Sequence, residues 1–217
     1  MKKNPYKGVF IAFEGLDGSG SSTQVDLLVR NLKSVGYLAF GTKEPTNNIV
    51  GGLIRGQLTG DWKAGMECLQ LLFAADRAHH LDREIIPSLK QGKIIISDRY
   101  YFSTVAFGSL KLDRDWLLVL NEKFILPDLT FVFKVSPEEC LRRMRAGRNR
   151  LELFEEEKKL KKVWATYSWL AKNNKKVVLI DGERSISQIS LEIFEIVKKF
   201  LKNKKVGLDK NLFSKCA

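Results

Sequence analysis

Short apolar runs alternate along the chain with longer stretches of helical pattern. The runs at 8–14, 37–42, 93–97, 129–135 and 176–180 are mostly β-branched or aromatic. Strands buried on both faces read this way, because neither side needs polar residues. Between them, apolar positions recur at helical spacing over 22–35, 49–58, 65–91, 113–123, 137–145, 154–172 and 185–202. Ser136-Pro137-Glu138-Glu139 supplies an N-cap, a first-turn proline and acidic residues at the positive end of a helix. Ser185 with Gln188 forms a capping box. Repeated strand–helix alternation predicts an α/β fold, with a parallel five-stranded sheet, helices on both faces and right-handed crossovers. Ligands then bind beyond the carboxyl ends of the strands. No repeat, linker or internal boundary interrupts the pattern. Residues 1–202 are expected to form a single domain, with a polar break at 146–153 as a short lid and 203–217 as a basic tail.

Composition narrows the class. The chain has 217 residues, 44% of them hydrophobic, which suits one ordinary domain. No apolar run approaches the roughly 18 residues that a membrane span needs. Met1-Lys2-Lys3-Asn4-Pro5 leads into the first strand without a signal-peptide pattern. Cys68, Cys140 and Cys216 lie far apart and show neither metal-ligand spacing nor a disulfide framework. They read as two core thiols and one tail thiol, and a cytoplasmic location is expected. The net charge is +12, and positions 198–217 carry seven lysines against one aspartate. Such an end reads as a solvated tail, so neither a membrane nor a nucleic-acid partner is expected. A second basic concentration comprises Arg142, Arg143, Arg145, Arg148 and Arg150, with no acidic residue between them.

The candidate chemistry begins at Gly15-Leu16-Asp17-Gly18-Ser19-Gly20-Ser21-Ser22-Thr23, between the first strand and the first long helix. A phosphate-binding loop has the form G-x-x-x-x-G-K-[S/T] in that context. Gly15 and Gly20 match, Ser22 fills the hydroxyl position that ligates Mg²⁺, and Ser21 stands where lysine belongs. Three devices hold phosphate in such a loop: converging backbone N–H groups, the helix N-terminus and the lysine charge. The first two are retained. The third is worth about 1.5–3 kcal/mol as a charged hydrogen bond, so a catalyst built on this loop needs cation density from elsewhere.

A second motif follows the strand at 93–97: Asp98-Arg99-Tyr100. It sets a carboxylate and a guanidinium at the carboxyl edge of the sheet. Arg99 can fork two phosphate oxygens, and Asp98 can orient Mg²⁺ directly or through water.

Four blocks together resemble the thymidylate kinase family of nucleoside monophosphate kinases. They are Phe13-Glu14-Gly15-Leu16-Asp17-Gly18-Ser19-Gly20 with Ser22-Thr23-Gln24; Lys43-Glu44-Pro45; Leu71-Leu72-Phe73-Ala74-Ala75-Asp76-Arg77; and Asp98-Arg99-Tyr100-Tyr101-Phe102-Ser103-Thr104-Val105-Ala106-Phe107. The resemblance implies transfer of the γ-phosphate of ATP to dTMP, giving dTDP, with Mg²⁺ as cofactor. It implies that Asp17 contacts the sugar and the attacking-phosphate region, Phe73 stacks on thymine, and Arg77 hydrogen-bonds the base edge. Arg99 would clamp the acceptor 5′-phosphate, with Lys43 within reach of it. Ser103, Thr104 and Phe107 would wall the nucleoside pocket. Residues 15–23 would hold ATP, with Arg142 or Arg143 against adenine and Asp181-Gly182 nearby; Ser22 and Asp98 would serve the metal. Similar proteins are homodimers, which implies a partner surface on the helix at 65–91 or the segment 100–108.

Ser21 departs from the family pattern. Members differ in whether an extra catalytic arginine sits in the loop or in the lid, and no basic residue occurs between Gly15 and Thr23. Arg148 or Arg150 is therefore expected to close over the transferring phosphate, with Arg145 as the next candidate. A degenerate kinase that binds nucleotides without transfer, and a kinase for another pyrimidine monophosphate such as dUMP, remain the alternatives.

Overall fold

The computed structural model describes residues 1–147, 156–204 and 206. In chain order the strands are β1 (Lys2–Lys3), β2 (Val9–Gly15), β3 (Ala39–Lys43), β4 (Ile94–Asp98), β5 (Ile125–Leu126), β6 (Leu129–Lys134) and β7 (Val177–Asp181). The helices are α1 (Ser21–Ser34), α2 (Ile49–Thr59), α3 (Met66–His80), α4 (Ile86–Lys90), α5 (Tyr101–Gly108), α6 (Arg114–Asn121), α7 (Pro137–Gly147), α8 (Glu157–Asn173) and α9 (Ile186–Asn203). Five strands form the main sheet in the order β3-β4-β2-β6-β7, every neighbouring pair parallel. β1 and β5 make a separate two-residue pairing.

β2 is central and buried along its whole length. Val9, Ile11 and Phe13 pack into one apolar cluster with Val25, Leu28 and Leu32 of α1 and Ile189, Ile193, Val197 and Leu201 of α9. Phe10 and Ala12 enter a second cluster with residues of α3, α5 and α8. Each large side chain buried in this way stabilises the fold by about 1.5–3 kcal/mol. Alternate residues of one strand therefore feed two cores, which is why its sequence is apolar without alternation. The capping box expected at Ser185 forms with Gln188.

The structure corrects four expectations. The outer strands are not covered on both faces, because each lies at a sheet edge: Phe40 of β3 and Leu179 of β7 are exposed. Lys33 and Lys93 stand over the Phe40 ring at 5.2 and 4.8 Å, shielding that edge with charge. The helix expected over 65–91 is interrupted by a π-helical turn at Leu81–Ile85. Pro87 lies just beyond it; proline supplies no N–H, and a widened turn accommodates that loss. α5 has no counterpart in the expected helices, because it is buried on nearly every side and so carries no polar stripe. Cys68 is exposed, so only Cys140 is a core thiol, with burial pushing it up to about 12. Cys216 lies outside the described residues. So do positions 148–153 of the expected lid and most of the basic tail.

One buried carboxyl ties the sheet to α5. Glu14 Oε1 accepts from the backbone N–H groups of Tyr100 and Phe102 at 3.0 and 3.1 Å. Its Oε2 accepts from the Ser103 hydroxyl at 2.5 Å. Burial raises the carboxyl from 4.5 to about 7, against the opposing hydrogen bond from Ser103 and charge of Arg99. Between those values the folded chain keeps a proton that the unfolded chain releases. The contribution is thus complete below the lower value and falls as pH rises to the higher one. Glu14→Gln, which mimics the protonated form, is expected to remove that component. The melting temperature of wild type minus variant should decline between about pH 5 and about pH 7 and level off above. A difference that stays flat across that range would show that Glu14 does not titrate there.

Candidate active site

The glycine loop leaves the end of β2 and enters α1. Gly18 and Gly20 have φ of 77° and 89°, in the left-handed region. A Cβ on Gly18 would lie 2.7 Å from the Cys140 carbonyl oxygen, so the loop could not pack on α7 with a larger residue there. Gly20 is the N-cap of α1 and supplies no side-chain acceptor. The first-turn amides, with the positive end of the helix dipole, thus remain available to an anion. Leu16 anchors the loop in the core, whereas Asp17 is partly exposed, and Ser22 and Thr23 are exposed on the first turn of α1. The Ser19 hydroxyl is buried without a partner among the described residues.

Parallel pairing brings the second motif beside this loop. Phe13 of β2 is in register with Asp98, and Lys43 of β3 is in register with Asp98 on the other side. Ser21 donates its hydroxyl to Asp98 Oδ1 at 2.8 Å, and Ser22 donates to Oδ2 of the same carboxylate. The residue in the lysine position is therefore turned against the strand end. Arg99 is the only non-glycine residue with positive φ among the described residues, at 72°. Such a conformation costs roughly 1–2 kcal/mol. It is held by N–H donation to the Phe13 carbonyl at 2.8 Å and by the Ser97 hydroxyl donating to the Arg99 carbonyl at 2.7 Å. The guanidinium donates to Asp17 at 2.7 Å, to the Gly15 carbonyl at 3.0 Å and to Ser103 at 3.0 Å. Burial alone would weaken its charge, but Asp17, Tyr167, Asp98 and Glu14 outweigh that and hold it charged.

A cavity adjoins Arg99 and runs between α3 and α5, lined among others by Lys43, Phe73, Thr104 and Phe107. Arg77 also lines it and is 1% exposed. Its Nε and Nη2 both donate to Glu44 Oε2, at 2.9 and 2.7 Å. Nη2 also donates to Thr104 at 3.0 Å, and Nη1 donates to Asn121. Four of the five N–H groups an arginine carries are thereby engaged, leaving one on Nη1. Glu44 serves a second cation, with its Oε1 3.1 Å from His80 Nδ1. Burial alone would lower the His80 pKa; the bonds to Glu44 and Glu84 outweigh it and raise the imidazole to about 9. His80 therefore contributes stability fully below its ordinary value, and that contribution is lost as pH rises through about 9.

No sequence spacing pairs Arg77 with Glu44, yet Glu44 of the Lys43-Glu44-Pro45 block is its buried partner. Gln70 and Arg55 also line the cavity, and the Arg99 guanidinium donates to the Tyr167 hydroxyl at 3.3 Å; none of the three stood out in the sequence. Gln70 shares the i, i+3, i+7 spacing with Phe73 and Arg77, a signal present in the sequence. Tyr167 falls in the Leu160, Val163, Leu170 stripe of α8, a core pattern, yet its hydroxyl lies 2.8 Å from Ser103. Arg55 carried no signal.

On the other side of the loop, Arg143 donates to Glu139 at 2.7 Å and to the Gly182 carbonyl at 3.0 Å. Its Nη1 is 4.0 Å from where a Cβ of Gly20 would stand. Arg142 is turned outward, 71% exposed and paired with Glu139. Arg145 is exposed on α7. Arg148 and Arg150 lie outside the described residues.

Glu44→Gln would leave two buried cations short of a carboxylate. It is expected to destabilise the protein by about 3–5 kcal/mol in urea unfolding. It should also bring the His80 titration, followed by NMR, well down from about 9. An unchanged His80 midpoint would refute this account of the network.

The family model described as thymidylate kinase matches residues 13–193. A probable thymidylate kinase of Thermococcus kodakarensis is 35% identical over 202 residues, covering 89% of this chain and 98% of that protein. That of Pyrococcus horikoshii is 37% identical over 199 residues, covering 88% and 97%. The thymidylate kinase of Exiguobacterium sp. is 36% identical over 198 residues, covering 87% and 93%. With the glycine loop, Asp98-Arg99 and the cavity assembled at one edge of a parallel sheet, and with most of its length matched by these proteins, the chain belongs to the thymidylate kinase family.

Proposed function

We propose that this protein transfers the γ-phosphoryl group of ATP to dTMP, giving ADP and dTDP for dTTP synthesis in the cytoplasm. The observation that carries the reading is adjacency. A cavity bearing Phe73 and Arg77 opens directly onto Arg99 and Asp17 of the phosphate loop. A planar base at one end and its 5′-phosphate at the other would fit that arrangement.

Amides of residues 15–23 hold the donor phosphates. The oxygen set of Ser22 and Asp98 suits Mg²⁺, which binds through one or two carboxylates plus substrate phosphates. Among the described residues no cluster of three or more His, Cys, Asp or Glu offers a denser cage. Magnesium supplies charge neutralisation on the donor phosphates. Arg99, already oriented by Asp17 and Ser103, clamps the acceptor phosphate, and Lys43 adds charge at the cavity rim. Phe73 stacks on the base, Arg77 donates its remaining N–H to a base carbonyl, and Ser103, Thr104 and Phe107 wall the nucleoside. Arg143 and the Asp181-Gly182 turn flank the adenine, with Arg142 farther out. An oxygen of the acceptor phosphate attacks the γ-phosphorus, and the bond to the β–γ bridging oxygen breaks. That oxygen is already anionic, so no general base is needed. Arg148 or Arg150, closing over the transferring phosphate, supplies the charge that Ser21 does not. Of the two surfaces expected for a homodimer, the segment 100–108 is buried within the chain, so the helix at 65–91 is the face, with exposed Leu71 on α3 and Ile49 and Leu53 exposed on α2 packed against it.

ADP release measured with ATP, Mg²⁺ and a panel of nucleoside monophosphates tests the reading. dTMP should be the best acceptor, with dUMP weaker by the roughly 10–200-fold that one methyl group can supply. No transfer to any pyrimidine monophosphate would favour a degenerate nucleotide-binding protein instead. Replacing Arg148 and Arg150 together by alanine is expected to lower kcat about 10²-fold or more. Retention of turnover within a factor of a few would sink the lid assignment. Ser21→Lys should tighten ATP at least about tenfold; unchanged affinity would mean that the loop cannot place an ammonium on the phosphates.

A further inference from the structure

We infer that Gln70 reads the hydrogen-bonding edge of the acceptor's pyrimidine, taking N3–H on Oε1 and giving an Nε2 hydrogen to a neighbouring ring carbonyl. The inference deepens the dTMP-kinase reading and rests on it. Gln70 is 1% exposed, and neither Nε2 nor Oε1 has a hydrogen-bond partner among the described residues. Buried polar groups are overwhelmingly paired, and those that are not call for an explanation. Gln24 and Gln57 each leave one amide atom bare but bond through the other, to the carbonyls of Ile186 and Ala64. Gln70 leaves both bare.

Its position says where the missing partner belongs. Gln70, Phe73 and Arg77 share one stripe of α3 and all three line the cavity. Gly108 of α5 closes the other side: a Cβ there would stand 3.3 Å from Gln70 Cδ and 2.8 Å from the Leu117 methyl groups. The carboxamide is thus walled in by α5 and closed off from water, so pairing with a base over Phe73 requires the side chain to turn toward the cavity it lines.

The chemistry of the stripe selects the ligand. Thymine and uracil present N3–H between two carbonyls, and a primary amide, with an acceptor beside a donor, is the complement of half that edge. Arg77 offers donors only, so it can serve a carbonyl and nothing else. With one ring carbonyl at Arg77, the N3–H and the other carbonyl fall to Gln70. A cytosine ring in the same seat would set its amino group against Arg77, donor against donor. The stripe therefore demands an imide edge, and Gln70 is its specificity-determining member beside the arginine.

The test uses the full chain, with Gln70→Met, similar in length but apolar, and two ligands: dTMP and its 3-deaza analogue, in which N3–H becomes C–H. Three results are expected. Without ligand, Gln70→Met melts higher than wild type, because two unpaired buried groups are gone. By titration calorimetry it binds dTMP at least about fivefold more weakly. Wild type prefers dTMP over the 3-deaza analogue by at least about the same factor, and Gln70→Met does not. A merely structural glutamine would instead lower the melting temperature on replacement and leave the ligand preference intact, which overturns the inference. Should Gln70→Met fail to fold, wild type alone decides, since equal affinity for the two ligands overturns it. Wild type that binds no dTMP sinks the acceptor reading along with this one, whereas binding that ignores the 3-deaza change sinks only this one.

Discussion

The parallel pairing of β2 with β4 is the constraint on which the site depends. It sets Phe13 opposite Asp98, so the loop that follows β2 and the turn that follows β4 must share one edge of the sheet. Each motif alone is a strand end with polar residues. Side by side, the carboxylate of Asp98 accepts from both serines of the loop, and the guanidinium of Arg99 reaches Asp17 and the Gly15 carbonyl. The left-handed backbone at Arg99 is tolerable because these contacts and the Phe13 carbonyl over-determine it.

Behind this edge lies a relay of buried charge. Glu14 holds the start of α5 and Ser103, which in turn contacts Arg99 and Tyr167. Glu44 holds Arg77 and His80. Buried carboxylates are costly unless paired and hydrogen-bonded; here Glu14 accepts from two backbone N–H groups and Ser103, and Glu44 is bonded to Arg77 and His80. Arg77, Arg99 and Ser103 of the cavity wall are held by contacts of this network. Gln70 is the exception in that wall, a polar group with no donor or acceptor supplied by the fold.

Ser21 shows how the loop differs from one with a lysine. Its hydroxyl is spent on Asp98, so it contributes no charge to bound phosphate. What remains at the loop is geometry: glycine dihedrals, an uncapped helix end and the nearby Arg143 guanidinium. These suit the binding of an anion, and stabilising the extra charge of a transferring phosphoryl group falls to side chains brought from elsewhere.

The sequence by itself determined the five main strands, the α/β class, the loop and the Asp98-Arg99 motif, because apolar runs, helical periodicity and glycine spacing are local signals. It also identified Phe73 and Arg77 as pocket residues through resemblance. Tertiary structure alone decided which strands are edges, where Pro87 forces a wider turn, that α5 is a helix, and which carboxylate neutralises Arg77. Each of these turns on what lies across a packed interface: an all-round buried helix has no polar stripe to betray it, and a salt bridge between residues 44 and 77 has no sequence spacing that announces it. Gln70 belongs to both: its place on the stripe was written in the spacing, but the lack of any partner for its amide is visible only when everything around it is in place.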